Sequence, residues 1–263
     1  MDLDIAGNVA LTTASSDGLG NAAATALVRD GGSVVINGSD EDRLEAAAEV
    51  LREEVTGDGG VQGGEGEGKG EEEVVGLVEE TLDEFGRLDH LVTSAGGPPS
   101  GPFLGTDDDD WYHAYDLLVM SVVRLCRAAA EPLQADGGGT IVNITSRSVK
   151  EAIDGLVLSN AVRMSVIGLE KTLATELGPD VRVNAVLPGP HETSRIEDLV
   201  EQAVYRRQSA PSADGLAAYR HGTPTARIGA PKPLPRPPHF LTPPEADLTT
   251  QQSTLVATAP RND

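Results

Sequence analysis

Residues 8–28 read Asn8-Val9-Ala10-Leu11-Thr12-Thr13-Ala14-Ser15-Ser16-Asp17-Gly18-Leu19-Gly20-Asn21-Ala22-Ala23-Ala24-Thr25-Ala26-Leu27-Val28. Val9, Ala10 and Leu11 form a short buried strand, Thr12 to Gly20 a hydroxyl- and glycine-rich turn, and Leu19 to Val28 an alanine-rich helix. Such a turn aims backbone N–H groups and the positive end of a helix dipole at one spot, which suits a pyrophosphate. Gly18 and Gly20 carry no Cβ, so a phosphate and a neighbouring strand can come close. Ala14 occupies the first position of the usual G-x-x-x-G-x-G spacing. Taken alone, the pattern also fits a plain turn.

Outward from this unit the chain alternates strand and helix. Ser33 to Asn37 is a second strand, and Asp40 to Val55 a charged helix with Leu44, Ala47, Ala48 and Leu51 on one face. A helix over Glu71 to Phe85 and a strand over Leu88 to Ser94 follow. A long helix spans Asp107 to Gln134, with Thr106 as its expected cap. A strand over Thr140 to Thr145, a helix over Leu156 to Leu177 and a strand over Val181 to Val186 complete the pattern. Helices between strands imply a parallel α/β sheet, doubly wound and Rossmann-like, with helices on both faces. Ligands in such sheets bind at the carboxyl ends of the strands, where the strand order reverses.

Two stretches break the alternation. Residues 57–70 hold eight glycines in fourteen positions with interspersed Glu and no apolar period. An insert over 56–70 is therefore expected to be disordered. Eight prolines fall between Pro231 and Pro260, where each removes a backbone donor and blocks helix. Residues 231–263 are expected to be an irregular or disordered tail. A natural Pro-rich tail for a partner and a frameshift-like scrambling of the coding sequence both fit it, and the second also fits the glycine segment.

The 263 residues suffice for one α/β domain, and the net charge is −22, from 42 acidic and 20 basic residues. Such a surface repels nucleic acid and anionic membrane, and it is the hydrated coat a salt-loving, halophilic cytoplasm favours. No clustered ligand spacing points to a metal. Cys126 is the only cysteine, which excludes an internal disulfide and fits a reducing compartment. No apolar run reaches about 18 residues and no leader is evident, so a cytoplasmic protein is expected.

Four segments in order carry a family resemblance: the turn Thr12 to Gly20, the strand end Thr93-Ser94-Ala95-Gly96-Gly97, the strand Ile141-Val142-Asn143-Ile144-Thr145-Ser146, and Asn184-Ala185-Val186-Leu187-Pro188-Gly189. Over about residues 5–200 the chain resembles the short-chain dehydrogenase/reductase family, most closely its 3-oxoacyl-[acyl-carrier-protein] reductase branch. The resemblance implies an NAD(P)-binding domain over 1–200, a substrate lid over 201–230, and hydride transfer between NAD(P)(H) and a carbonyl or secondary alcohol of a small molecule. The turn, with Thr13, Ala14, Ser16, Gly18, Leu19 and Gly20, would hold the pyrophosphate. Ala95 and Gly96 would line the adenosine ribose, and Pro188, Gly189 and Thr193 the nicotinamide. At the end of the second strand, Gly38 replaces the acid that grips an NAD ribose and Ser39 replaces an Arg suited to a 2′-phosphate. Asp17 disfavours a phosphate and Arg43 could reach one, and the balance leans slightly to NADP.

The same resemblance exposes departures. Ser146 is kept, but Ser159 stands at the family's acidic Tyr, Arg163 at its Lys, and Leu118 about where an Asn orders a relay water. Spacing i, i+4 sets Ser159 and Arg163 on one helix face. A tyrosine titrates near ~10, whereas a serine hydroxyl is a far weaker acid and arginine never gives up its proton. Ser146, Ser159 and Arg163 are the candidate catalytic set, with Arg163 also on the ribose. Asn160 could hydrogen-bond a carbonyl, and His191 or Lys150 could substitute as the acid. The family's third and seventh strands, both edges, fall in the two broken stretches and are expected to be missing, which leaves the order 2-1-4-5-6. A homodimer or larger homo-oligomer is expected through Val119, Val122, Val123, Val162, Val166 and Leu169. A non-catalytic nucleotide-binding or scaffold protein of the same descent is the rival reading.

Overall fold

A computed structural model describes residues 5–66, 68, 70–135, 137–191, 193–199, 251 and 253–256. Seven strands, β1 (Val9–Thr12), β2 (Ser33–Gly38), β3 (Val61–Glu65), β4 (His90–Thr93), β5 (Gly139–Ile144), β6 (Val181–Pro188) and β7 (Ser253–Val256), form one sheet in the order β3-β2-β1-β4-β5-β6-β7. Every neighbouring pair is parallel. Among the described residues six α-helices lie between the strands: α1 (Gly18–Arg29), α2 (Glu41–Glu54), α3 (Glu71–Phe85), α4 (Asp108–Tyr115), α5 (Ser121–Gln134) and α6 (Val157–Glu176).

Alternation along the strands makes two cores. Leu11, Val35, Leu91, Ile141 and Val183 face α3, α5 and α6, while their neighbours Ala10, Val34, Val92 and Val142 face α1 and α2. Fully burying one such aliphatic side chain is worth roughly 1.5–3 kcal/mol, and the two layers together set the sheet. Cys126 lies in the first core, where burial pushes its thiol up to about 12. It is a packing residue. Among the described residues no helix is long and apolar enough to cross a membrane.

Both edges that the sequence reading expects to be missing are present. In β3 the glycines leave room for helices: a Cβ on Gly63 would touch Leu44 of α2 at 3.4 Å, and one on Gly64 would come within 2.5 Å of Leu77 of α3. The apolar surface over this strand is thus supplied by the helices, so the strand itself shows no period. Residues 61–65 are an ordered strand rather than part of a disordered insert. At the other edge, Ser253–Val256 pairs with Ala185–Pro188, and the Ser253 hydroxyl donates to the carboxylate of the buried Glu170 at 3.0 Å. That strand falls within the segment read as an irregular tail. The segment 201–230, read as a lid, lies outside the described residues.

Three smaller expectations also change. The cap of α4 is Asp107, whose carboxylate accepts from Asp110 N, and not Thr106, whose hydroxyl donates to the Phe103 carbonyl. The single long helix is two, joined through a wider π turn over Asp116–Met120. Val119, Val122, Val162 and Val166 are buried in the first core, and Val123 and Leu169 pack against it. Those side chains serve the fold and are not a free apolar face.

His90 is fully enclosed at the amino end of β4. Its Nε2 lies 3.0 Å from the Asn8 amide nitrogen, a donor, and its Nδ1 lies 2.9 Å from the Thr140 hydroxyl. The ring is therefore neutral, with Nδ1–H donating to Thr140. Burial pulls it down from 6.5 to about 4, against the attraction of Asp89 and with help from Arg182 and Arg87. The unfolded chain takes up this proton first on acidification, so the contribution is complete above pH 6.5 and is lost as pH falls towards about 4. It should amount to about 3 kcal/mol. Denaturant melts from pH 7 to 4 should show a shallower stability slope for His90→Gln than for the parent, and equal slopes would remove His90 as the cause.

Candidate active site

The turn between β1 and α1 is held from below by side chains facing inward. The Thr13 hydroxyl donates to the Ser94 carbonyl at 2.8 Å and accepts from Ser94 N at 3.0 Å, locking the turn to the end of β4. The Ser15 hydroxyl donates to the Thr12 carbonyl and accepts from Asn37 N, and Ser15 N donates to the Asn37 carbonyl at 2.8 Å. The Asn37 amide then donates to the carbonyls of Gly64 and Gly66, so β2 ties the turn to β3. No side chain caps α1, and no acidic residue sits in its first turn. Its first N–H groups are therefore left for a ligand.

Two backbone features shape the turn. A Cβ on Gly20 would stand 2.5 Å from the Ala14 carbonyl oxygen, so only glycine lets α1 start this close to β1. Gly18 has φ +65 and Ala14 φ 46, both in the left-handed region that favours glycine. Ala14 bears that strain with a side chain.

Above the turn, at the carboxyl ends of the strands, lies a cleft of about 620 Å³. Of the residues expected to hold a cofactor, Ala14, Ser16, Gly18, Leu19, Ser39, Ala95, Gly96, Arg163, Pro188, Gly189 and Thr193 all line it. Thr13 and Gly20 do not: the first is spent on Ser94 and the second on close packing. Arg43 lines the cleft near Ser39, but its guanidinium leans towards Asp40 at 3.6 Å. The site suits a dinucleotide, because uncapped helix N–H groups, a Cβ-free approach and an elongated cleft coincide at the reversal between β1 and β4.

Ser146, Ser159 and Arg163 line the same cleft. Ser146 Oγ accepts from Ser148 N at 3.1 Å, and Ser148 Oγ lies 3.2 Å from Ser159 Oγ and 3.3 Å from the Ser159 carbonyl. Ser148, buried and unremarked in the sequence reading, links the two candidate serines. Its only sequence signal is the Ser146-x-Ser148 spacing. Asn160 is not available to a substrate, since its amide both donates to the Ile153 carbonyl and accepts from Ile153 N. Leu118 is buried in the core, and Leu117 is the residue of the π turn that faces the cleft. His191 lines the cleft with Nδ1 2.9 Å from the Gly189 carbonyl, whereas Lys150 is exposed outside it.

Arg163 carries the clearest electrostatic perturbation. Its Nη2 makes a long 3.4 Å contact to the Gly96 carbonyl, and its Nε is buried with no partner among the described residues. Burial, and then the guanidinium of Arg195, lower it from 12.5 to about 10. Arg195, which the sequence reading passed over, donates to the Pro98 carbonyl at 2.6 Å and lies against Gly97, where a Cβ would displace its guanidinium.

This fold and cleft define a dinucleotide-binding α/β protein. The family model described as enoyl-(acyl carrier protein) reductase matches residues 13–257. The chain is 34% identical over 192 residues to a 3-oxoacyl-[acyl-carrier-protein] reductase of Synechocystis, covering 73% of this chain and 77% of that one. It is 32% identical over 198 residues to a 3alpha-hydroxysteroid dehydrogenase of Mediterraneibacter gnavus, covering 74% and 78%. The structure of L-sorbose reductase from Gluconobacter frateurii, complexed with NADPH and L-sorbose, superposes with a TM-score of 0.89 at 28% identity, covering 98% and 97%. The chain belongs to the short-chain dehydrogenase/reductase family. It is an oxidoreductase of that type, moving a hydride between a nicotinamide cofactor and a carbonyl or alcohol, and the non-catalytic reading is not favoured.

Two substitutions test the turn. Ala14→Gly should relieve a left-handed strain of roughly 1–2 kcal/mol. Against the entropy it adds to the unfolded chain, it should still raise stability by up to about 1 kcal/mol. Gly18→Asp places a carboxylate where φ is +65, at the uncapped start of α1. Cofactor titration followed by nicotinamide fluorescence should show binding lost in Gly18→Asp and kept in Ala14→Gly. Unchanged affinity in Gly18→Asp would make the turn purely structural.

Proposed function

We propose that Arg163, Ser146 and Ser159 carry the chemistry in place of the Tyr and Lys of the family pattern, on a ketone or secondary alcohol. What supports this is that the three line one cleft with the phosphate turn, the two serines joined through Ser148. The nicotinamide cofactor supplies or accepts the hydride. Arg163 holds ribose hydroxyls and stabilises negative charge on the substrate oxygen, while Ser146 donates a hydrogen bond to it. Ser146 Oγ already accepts from Ser148 N, which leaves its own O–H to point outward. Ser148 can donate to the Ser159 carbonyl and accept from the Ser159 hydroxyl, so the Ser159 proton rests on Ser148. Nothing in this serine string titrates, and the proton must enter from water or from His191. With Nδ1–H held by the Gly189 carbonyl, Nε2 is the nitrogen left to exchange it.

The cofactor reading leans slightly to NADP, supported by Arg43 of α2 on the cleft and by the absence of an acid at Gly38. A cytoplasmic, salt-adapted setting is supported by the charge of −22. A homodimer is the assembly we favour, now through Tyr112, Tyr115 and Met164, the large apolar side chains that α4 and α6 leave exposed. Light scattering in high salt should return twice the monomer mass, and a monomer would end that part of the reading.

The decisive experiment restores the family's acid on the same helix face. If the rest of the site is sound, Ser159→Tyr with Arg163→Lys should reduce a generic ketone roughly 10² to 10⁴ times faster than the parent, the usual worth of a positioned acid. Arg163→Ala should lower cofactor affinity and rate together. A parent whose turnover survives both Ser159→Ala and Arg163→Ala would refute the assignment.

A further inference from the structure

The phosphate turn, Ala95, Pro188 and Gly189 line the part of the cleft that a dinucleotide would fill. The part that remains lies beside the start of α6, with Ser146 and Ser159. Its apolar wall is made by Ile153 and Leu156, from the segment that leads into α6, and by Leu117 of the π turn, which packs against that helix. A serine at 159 fills less of this space than the tyrosine of the family pattern. The two arginines nearest the serines in sequence turn elsewhere: Arg147 pairs with Glu151, and Arg163 reaches towards the Gly96 carbonyl at the end of β4.

Two clamps fix this wall. The Asn160 side chain accepts from Ile153 N at 3.1 Å and donates to the Ile153 carbonyl at 2.9 Å, so one amide holds both polar groups of that residue. Gly101 N donates to the Gly155 carbonyl at 2.6 Å, and the Gly101 carbonyl accepts from Val157 N at 3.3 Å. This single parallel bridge between Gly101 and Leu156 ties the segment after β4 to the start of α6. The bonds also spend the polar groups of the wall. Leu156 N donates to the Ile153 carbonyl, the Leu156 carbonyl accepts from Asn160 N, and the Leu117 carbonyl accepts from the Ser121 hydroxyl. A hydroxyl brought against these residues gives up its water and finds its partners taken, whereas an apolar group there only releases water.

We propose that the substrate carries an apolar ring or branched alkyl group on its reacting carbon, received by Leu117, Ile153 and Leu156, and that Asn160 is the positioning residue that holds Ile153 in this wall. This deepens the reading of the cleft as an oxidoreductase site and rests on it. The carbonyl or alcohol end of the substrate faces Ser146 and the nicotinamide, and the apolar group points away from both towards Leu117. A wall pinned at Ile153 and Leu156 keeps its shape without the ligand, so it selects by shape as well as by polarity. A polyhydroxylated substrate has no place in it.

The test uses binding, so it does not depend on turnover. Calorimetry on protein alone and on protein with NADP⁺ or NAD⁺ should show 2-tetralone, a fused-ring ketone, bound at least about tenfold tighter than its catechol analogue, whose added hydroxyls find no partner. In Leu117→Asn, which offers the wall a donor and an acceptor, that ratio should fall to about threefold or less. Asn160→Ala should weaken 2-tetralone about fivefold and leave cofactor affinity unchanged, a split that a general loss of folding does not produce. Asn160→Asp, which still accepts from Ile153 N, should retain part of the affinity. Equal affinity for the two ketones in the parent, or no binding of 2-tetralone, overturns the proposal, and so does an unchanged ratio in Leu117→Asn. Full affinity for 2-tetralone in Asn160→Ala would overturn the role of Asn160. A preference for 2-tetralone in protein that binds neither nucleotide would keep the apolar wall and strike down the oxidoreductase reading instead.

Discussion

The start of α1 lies so close to the end of β1 that residue 20 can carry no side chain: its Cβ would stand 2.5 Å from the Ala14 carbonyl and about 3.0 Å from Thr13 O and Ser15 Cα. From that approach the rest follows. It aims the uncapped first turn of α1 at the crevice between β1 and β4, and it forces Ala14 into a left-handed conformation to make the bend. The bend survives because its inward hydroxyls are bonded on three sides, Thr13 to β4, Ser15 to β1 itself and to β2. A strained residue persists only where its surroundings over-determine it, and here that surrounding network also closes the floor of the cleft.

The same relation between empty space and partner explains which elements could be read in advance. β1, β2, β4, β5 and β6 bury their own Val, Ile and Leu on both faces, so their runs of apolar residues were legible. β3 buries the side chains of other elements. Leu44, Leu77 and, at Gly60, Phe85 press on a backbone without side chains, so periodicity was absent and composition pointed to disorder. β7 is short and follows a proline-rich run. Its anchors are polar: Glu170 receives Ser253, and Gln251 bonds the Val183 carbonyl and Thr175. Glu170 faces inward at a helix position where a period would call for an apolar residue, and burial raises its carboxyl.

In the site, what was legible was spacing along a single element. Ser159 and Arg163 share a face of α6 because i and i+4 lie one turn apart, and the structure sets both on the cleft. What was not legible was any pairing across elements. Ser148 meets Ser159 only because a 3₁₀ turn after β5 folds back over α6, and Arg195 reaches Pro98 only across the mouth of the sheet. Asn160 looked catalytic from its neighbour, yet it faces the loop and fixes Ile153. The π turn shows the limit most plainly: one extra residue per turn decides that Leu117, and not Leu118, faces the cleft, and hydrophobic pattern alone cannot register that shift.

The exchange of Tyr and Lys for Ser and Arg changes the kind of work the helix face can do. A phenol beside an ammonium can part with a proton, whereas a serine beside a guanidinium can only donate hydrogen bonds and hold charge. On the assignment proposed above, proton delivery and charge stabilisation are divided between different groups, the first outside the serine string and the second on Arg163.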